Sequence, residues 1–190
     1  MTYPIVAYGH PVLKKRAEEI DANYPNLKEI IANMFESMDE AIGIGLAAPQ
    51  VNLSIRLVVI DATPYEEEYP EAKGFKKVFI NPEILEESGE DWEFNEACLS
   101  LPGIAEYVIR KPNIKIRYQD ENFNTFEEEY DGMIARIFQH EYDHLEGILF
   151  VDRVSNLKKV LLKNKLKDIS MGKVKRDYKM LLPPVKRKRK

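Results

Sequence analysis

The 190-residue chain has one cysteine, three histidines, one tryptophan and no long apolar run. Each scarcity removes a class of protein. A lone Cys98 cannot form an internal disulfide, so it is a buried thiol, a reactive thiol or a metal ligand. With a single cysteine, a structural zinc site closed by four protein ligands is hard to assemble. No apolar stretch approaches a membrane span, and the start, Met1-Thr2-Tyr3-Pro4-Ile5-Val6, lacks the basic segment and long apolar core of a secretory signal. The expected location is the cytoplasm, with no membrane partner. No internal repeat or linker divides the chain, and 44% hydrophobic with 32% charged residues suits one globular domain over residues 1–170.

What is present is unevenly spread. Over residues 171–190, nine Lys or Arg face Asp177 alone, a net +8, whereas residues 1–170 carry 19 basic and 31 acidic side chains, a net −12. The tail ends in Val185-Lys186-Arg187-Lys188-Arg189-Lys190, which reads as a solvated, flexible segment. Its functional alternative is salt-dependent contact with a polyanion such as ribosomal RNA.

Periodicity predicts an α+β fold, with mostly antiparallel strands around a central metal-binding helix and further helices near both ends. Gly9-His10-Pro11 reads as a surface turn, which keeps His10 out of any site. Leu27, Ile30, Ile31, Met34 and Met38 recur at helical spacing from Asn26 to about Ala41, and Gly43 ends that helix. Residues 55–61 and 77–85 read as strands, the second broken by Asn81-Pro82, and residues 64–76 as an acidic surface excursion. Residues 86–95 continue acidic and polar. Residues 113–118 and 125–130 form a hairpin. Asp131 caps a buried helix that Gly147 stops, residues 148–151 return as a strand, and a final helix carries Leu157, Val160, Leu161, Leu162 and Leu166 as its apolar stripe.

The chemistry concentrates in Gln139-His140-Glu141-Tyr142-Asp143-His144. His140 and His144 are separated by about 400° of helical rotation and so share one face, where Glu141 can handle protons for a metal-bound water. Burying these groups without a metal would be costly. A catalytic site then needs one more ligand and an open position; Cys98 and a carboxylate such as Glu146 are both candidates. Gly43-Ile44-Gly45-Leu46-Ala47-Ala48-Pro49-Gln50 lies between a helix and a strand, the wrong order for a dinucleotide fingerprint. Its glycines let the backbone pass close to a ligand or to the metal helix, and Gln50 can aim an amide at a reacting group.

Three stretches together, residues 43–50, Glu96-Ala97-Cys98-Leu99-Ser100 and residues 139–144, resemble in order and spacing the motifs of the peptide deformylase family. The likeness runs over most of residues 1–165, including Pro11-Val12-Leu13, Asn81-Pro82 and Arg110, and leaves the basic tail uncovered. It implies that Cys98, His140 and His144 bind the metal, commonly Fe²⁺ with Zn²⁺, Ni²⁺ or Co²⁺ able to substitute. It further implies that Glu141 is the general base and then acid, and that Gln50 and the Leu99 backbone N–H hold the developing oxyanion. Gly45 would accept the substrate backbone, with Ile44 and Ile137 lining a methionine pocket. The implied substrate is the N-terminal formyl-methionine of nascent peptides, with formate as product. The second motif of the family usually has glycine where this chain has Ala97; were positive φ needed there, alanine would cost about 1 kcal/mol. Two alternatives stand beside this reading: a zinc endopeptidase sharing His-Glu-x-x-His, and an RNA-binding protein with a vestigial metal site.

Overall fold

Leu57-Val58-Val59-Ile60 is apolar at every position, which suits a strand covered on both faces. The computed structural model, which describes residues 1–184, shows that cover. In chain order its elements are β1 (Ile5–Val6), α1 (Leu27–Glu40), β2 (Gly45–Ala47), β3 (Leu57–Asp61), β4 (Lys76–Ser88), β5 (Trp92–Ala97) and β6 (Ala105–Arg110). They continue with β7 (Asn113–Gln119), β8 (Thr125–Tyr130), α2 (Gly132–Leu145), α3 (Asn156–Ser170) and β9 (Met180–Leu181). An antiparallel sheet runs in the order β2-β3-β4-β7-β8, β5 and β6 form a separate antiparallel hairpin, and β1 pairs with β9 in parallel. The expected α+β fold, with mostly antiparallel strands around a central helix, is what the structure shows.

Alternation along β3 divides the core. Val58 and Ile60 join Phe79, Ile116 and Phe138 in a cluster beneath α2, while Leu57 and Val59 join Met34, Met38 and Leu46 beneath α1. A third cluster gathers Leu13, Cys98, Leu101, Phe150, Leu162 and Ile169 around β1 and α3. The central helix α2 is therefore enclosed, with only Gly132 and Tyr142 short of full burial.

Several expectations change. Residues 148–151 are not a strand: Leu149 leads into a 3-10 turn over Phe150–Asp152 whose backbone is satisfied locally. The polar stretch 86–95 is largely strand, because the end of β4 pairs with β7 and β5 pairs with β6. On α3 the buried side is Leu162, Leu166 and Ile169, while Leu157, Val160 and Leu161 are each about 70% exposed. Asp131 makes no side-chain cap; Glu71 Oε1, from the 64–76 excursion, accepts from Met133 N at 3.0 Å instead. Helix α1 ends on Ile42 in the left-handed region (φ 57°), with Gly43 N donating to Met38 O at 2.9 Å. The tail expected to be flexible from residue 171 is laid down through Leu181, since Ile5 N and Ala7 N donate to Lys179 O and Leu181 O at 2.9 Å. The terminal Lys186-Arg187-Lys188-Arg189-Lys190 lies outside the described residues.

Asn81-Pro82 does not break β4 but sits in a register shift between Ile80 and Glu83, where proline's missing N–H is tolerated. Asn81 takes φ 49°, a left-handed conformation that asparagine accepts more readily than most residues. Its side chain accepts from Ile20 N (3.0 Å) and donates to Ile20 O (2.7 Å) and Gln119 Oε1 (2.9 Å), tying the N-terminal segment to the sheet. Asn81→Ala should therefore lose about 2–4 kcal/mol, from these bonds and the backbone preference together. Urea unfolding measures it, and an unmoved midpoint would show that the tie carries no weight.

Candidate metal centre and active site

Helix periodicity places His140 and His144 on one face of α2, with ring centroids 5.2 Å apart. Cys98 enters from the loop that follows β5, and its Sγ lies 3.4 Å from His144 Nε2. One ligand atom from each of Cys98, His140 and His144 falls within 4.8 Å of the others, and all three residues are buried. Of the two candidates for the third ligand, Glu146 is ruled out by its partners: it bonds Arg56 Nη1 at 2.6 Å and Arg16 Nε at 3.1 Å.

The donor set fits a metal ion. His144 is held well below its ordinary pKa by burial, reinforced by the charges of His140 and Arg110, so its ring is neutral. Burial also works against a charged His140, but hydrogen bonds to Cys98 and Glu96 outweigh it and hold its pKa well above the ordinary value. A field that favours a proton between Cys98 and His140 favours a cation in the same place. Glu96 Oε2 lies 2.9 Å from His140 Nδ1, which fixes the ring and leaves Nε2 as the nitrogen that could hold a metal.

Glu96 is itself held. Arg110 grips it bidentately at 2.7 and 2.9 Å, and Arg136 Nη1 bonds it at 3.0 Å. Arg110 also reaches Asp143 Oδ2 at 2.7 Å, and Arg153 grips Asp143 from the other side at 2.6 and 2.5 Å. Burial alone would raise the Glu96 carboxyl, but Arg110 and His140 hold it well below the usual carboxylate range. Sequence patterns singled out neither Arg136 nor Asp143 nor Arg153. The available signal was an arginine and an aspartate on a helix with apolar residues on several faces, where a buried charge must have a partner.

Gln50 comes from a 3-10 turn over Ala48–Val51 and is 1% exposed. Ala47 N donates to its Oε1 at 2.8 Å, which sets the amide so that Nε2 faces Cys98 Sγ (3.5 Å) and Ser100 Oγ (3.4 Å). Gly45 answers what the first motif approaches: a Cβ there would stand 2.6 Å from Glu141 Oε1, so the strand passes directly over the Glu141 carboxylate. Gly43 does the same to Leu99, 2.8 Å from its Cδ1. Burial lifts Glu141 to about 7, and its Oε2 has no hydrogen-bond partner among the described residues. Ala97 lies in β5 opposite Ala105 and outside the positive-φ region, so alanine carries no backbone penalty there.

A cleft of about 560 Å³ opens on the site, lined by Ile44, Gly45, Leu99, Met133 and Ile137 and reaching Tyr65 of the acidic excursion. Because β2 is the last strand of its sheet, one edge of Gly45–Ala47 has no strand paired to it among the described residues. His10 stands apart, its side chain accepting from Val12 N to cap the 3-10 turn at Pro11–Lys14.

Two histidines, a thiol, an adjacent carboxylate and an amide facing the same cavity define a hydrolytic metal centre as the class of site. Comparison with known proteins gives the family. The polypeptide deformylase family model matches residues 2–160. The chain is 55% identical to the peptide deformylase of Flavobacterium psychrophilum over 194 residues, covering 98% of this chain and all of that one. It is 53% identical to the peptide deformylase of Christiangramia forsetii, covering all of both. Among solved structures, a Plasmodium falciparum peptide deformylase matches with TM-score 0.79 and 40% identity, covering 88% of this chain and 95% of that one. The peptide deformylase of Thermotoga maritima matches with TM-score 0.74 and 42% identity, covering 82% and 99%. The chain belongs to the polypeptide deformylase family, and is an enzyme. Neither the endopeptidase nor the RNA-binding alternative is supported by these matches. No helix among the described residues is long and apolar enough to cross a membrane.

Arg110 has a side chain only 2% exposed and neutralises two buried carboxylates. Arg110→Met should destabilise the metal-free protein by about 3 kcal/mol, since Arg136 and Arg153 still serve Glu96 and Asp143. Denaturant unfolding reads this directly; a change under about 1 kcal/mol would mean that the lattice tolerates the loss.

Proposed function

We propose that this chain hydrolyses the N-terminal formyl group of newly synthesised peptides beginning with formyl-methionine, releasing formate and a free amino terminus, in the cytoplasm. The observation that carries the reading is the convergence of Cys98, His140 and His144 within 4.8 Å beside Glu141 and Gln50. Residues 1–170 make up the catalytic unit. Cys98, His140 and His144 would hold the cation, Fe²⁺ by family precedent, with Zn²⁺, Ni²⁺ or Co²⁺ able to replace it. When bound, the cation supplies Lewis acidity, polarising the formyl carbonyl and acidifying water towards neutrality.

The remaining work falls to the chain. The unpaired edge of β2 at Gly45 accepts the peptide backbone as an added strand, and Ile44 and Ile137 wall the methionine side chain. As water adds to the formyl carbon, the Gln50 side-chain amide and the Leu99 backbone N–H donate to the oxygen that gains charge. Glu141 takes the proton from water and returns it to the departing amine as the C–N bond breaks. Burial raises Glu141 to about 7, so near neutrality the carboxylate can both take up the proton and give it back.

Formate release from a formyl-methionyl peptide, by protein loaded anaerobically with Fe²⁺, tests the reading. Glu141→Ala should lower kcat by about 100-fold or more with metal content retained. Equal rates from parent and variant, or no formate from the parent, would remove the mechanism.

A second observation concerns the partner. Residues 156–190 carry 14 basic and two acidic side chains, a net +12, against 14 basic and 30 acidic over 1–155, a net −16. The exposed Leu157, Val160 and Leu161 lie at the start of this basic segment. This polarity favours docking of the C-terminal segment on the ribosome, the source of the nascent substrate. Removing Lys186 to Lys190 should reduce the slope of log affinity for ribosomes against log salt by about 4. A slope that stays the same would end the proposal.

A further inference from the structure

The C-terminal segment returns to the metal loop from beyond residue 160, where the family model ends. After α3 the chain turns at Gly172, where a Cβ would meet Leu182, and runs back beside the N-terminus to pair β9 with β1. Val174, Met180 and Leu181 pack on the cluster that contains Cys98 and Leu101, while Tyr178 packs on the neighbouring cluster beside Leu99. The Tyr178 hydroxyl donates to Leu99 O at 2.7 Å. Burial and the nearby Cys98 push that hydroxyl up to about 12, so it remains a donor throughout the neutral range.

This bond completes a series. Three successive carbonyls of the metal loop each accept one hydrogen bond: Cys98 O from Leu101 N (2.9 Å), Leu99 O from Tyr178 Oη (2.7 Å) and Ser100 O from Tyr8 N (3.0 Å). The first orients the peptide plane that carries the Leu99 N–H, and the second orients the plane that follows it. Two adjacent planes held in this way fix the Leu99 backbone between them, because each residue has only two soft dihedrals. Of the three donors, only Tyr178 is a side chain. We propose that Tyr178 is a positioning residue: through Leu99 O it fixes the direction of the Leu99 backbone N–H, coupling the C-terminal segment to oxyanion stabilisation.

The inference rests on the deformylase reading for its effect on turnover, and on geometry alone for its effect on the loop. Tyr178→Phe keeps the ring and removes the donor. With the Fe²⁺-loaded enzyme, kcat for formate release should fall about five-fold at unchanged KM, the worth of roughly one neutral hydrogen bond. In the metal-free chain, amide hydrogen exchange at Leu101 should quicken by a similar factor, while Ile5 and Ala7, which report the β1-β9 pairing, exchange as in the parent. A tyrosine that merely anchored the tail would give the reverse pattern, with faster exchange at Ile5 and Ala7 and none of it at Leu101. Tyr178→Ala, which removes the ring as well, should show both. Unchanged exchange at Leu101 in Tyr178→Phe overturns the proposal whatever turnover does, and so does parental kcat. If the parent itself releases no formate, the deformylase reading fails and the exchange measurement alone decides the positioning role.

Discussion

The buried carboxylate of Glu96 is the point on which the site turns. It ends a strand of the β5-β6 hairpin, yet its oxygens serve Arg110 of the same hairpin and Arg136 and His140 of α2. An ionised carboxylate with this little exposure is tolerated only with close partners, so hairpin and helix cannot separate without stranding charge. That requirement holds Cys98, two residues on, against the histidines. One ion lattice thus sets the ring of His140, the depth of Cys98 and the docking of two structures that share no sheet.

The other wall of the site depends on an absence of side chain. Gly45 passes so close to Glu141 that any larger residue would meet the carboxylate, and Gln50 is aimed by a bond from Ala47 N three residues before it. The edge strand therefore combines two features that sequence alone kept separate: backbone that lines the cleft and close confinement of the Glu141 carboxylate. Confinement explains the raised Glu141 pKa, because the groups that shape the cleft also exclude water from that carboxylate.

Beyond the central helix the molecule is electrically divided, with an acidic body and a basic C-terminal segment. The division does not coincide with a boundary of the fold. Through Leu181 the basic segment is built into the fold by parallel pairing with the N-terminal strand, and it reaches the loop after β5 through Tyr178. The segment that carries the positive charge therefore also touches the loop that holds Cys98.

The amino-acid sequence determined the local chemistry. Helical spacing was enough to put His140 and His144 on one face, the composition left Cys98 as the single thiol able to join them, and Gly45 announced a close approach. The apolar runs located α1, β3 and α2, because local periodicity follows directly from the geometry of helix and strand. It did not reveal the β5-β6 hairpin, which buries Glu96 and Arg110 and exposes Tyr107 and Ile109, nor the true inner face of α3, where Leu157, Val160 and Leu161 repeat at helical spacing yet face solvent. Only the tertiary structure decided that Glu146 stands apart from the three candidate ligands and that Glu96 braces one of them. Glu146 and Glu96 are alike as residues, and their roles differ because Arg56 and Arg16 meet one while Arg110, Arg136 and His140 meet the other. Such assignments depend on partners 14 to 130 positions away along the chain, and no local pattern records who the partner of a buried charge is.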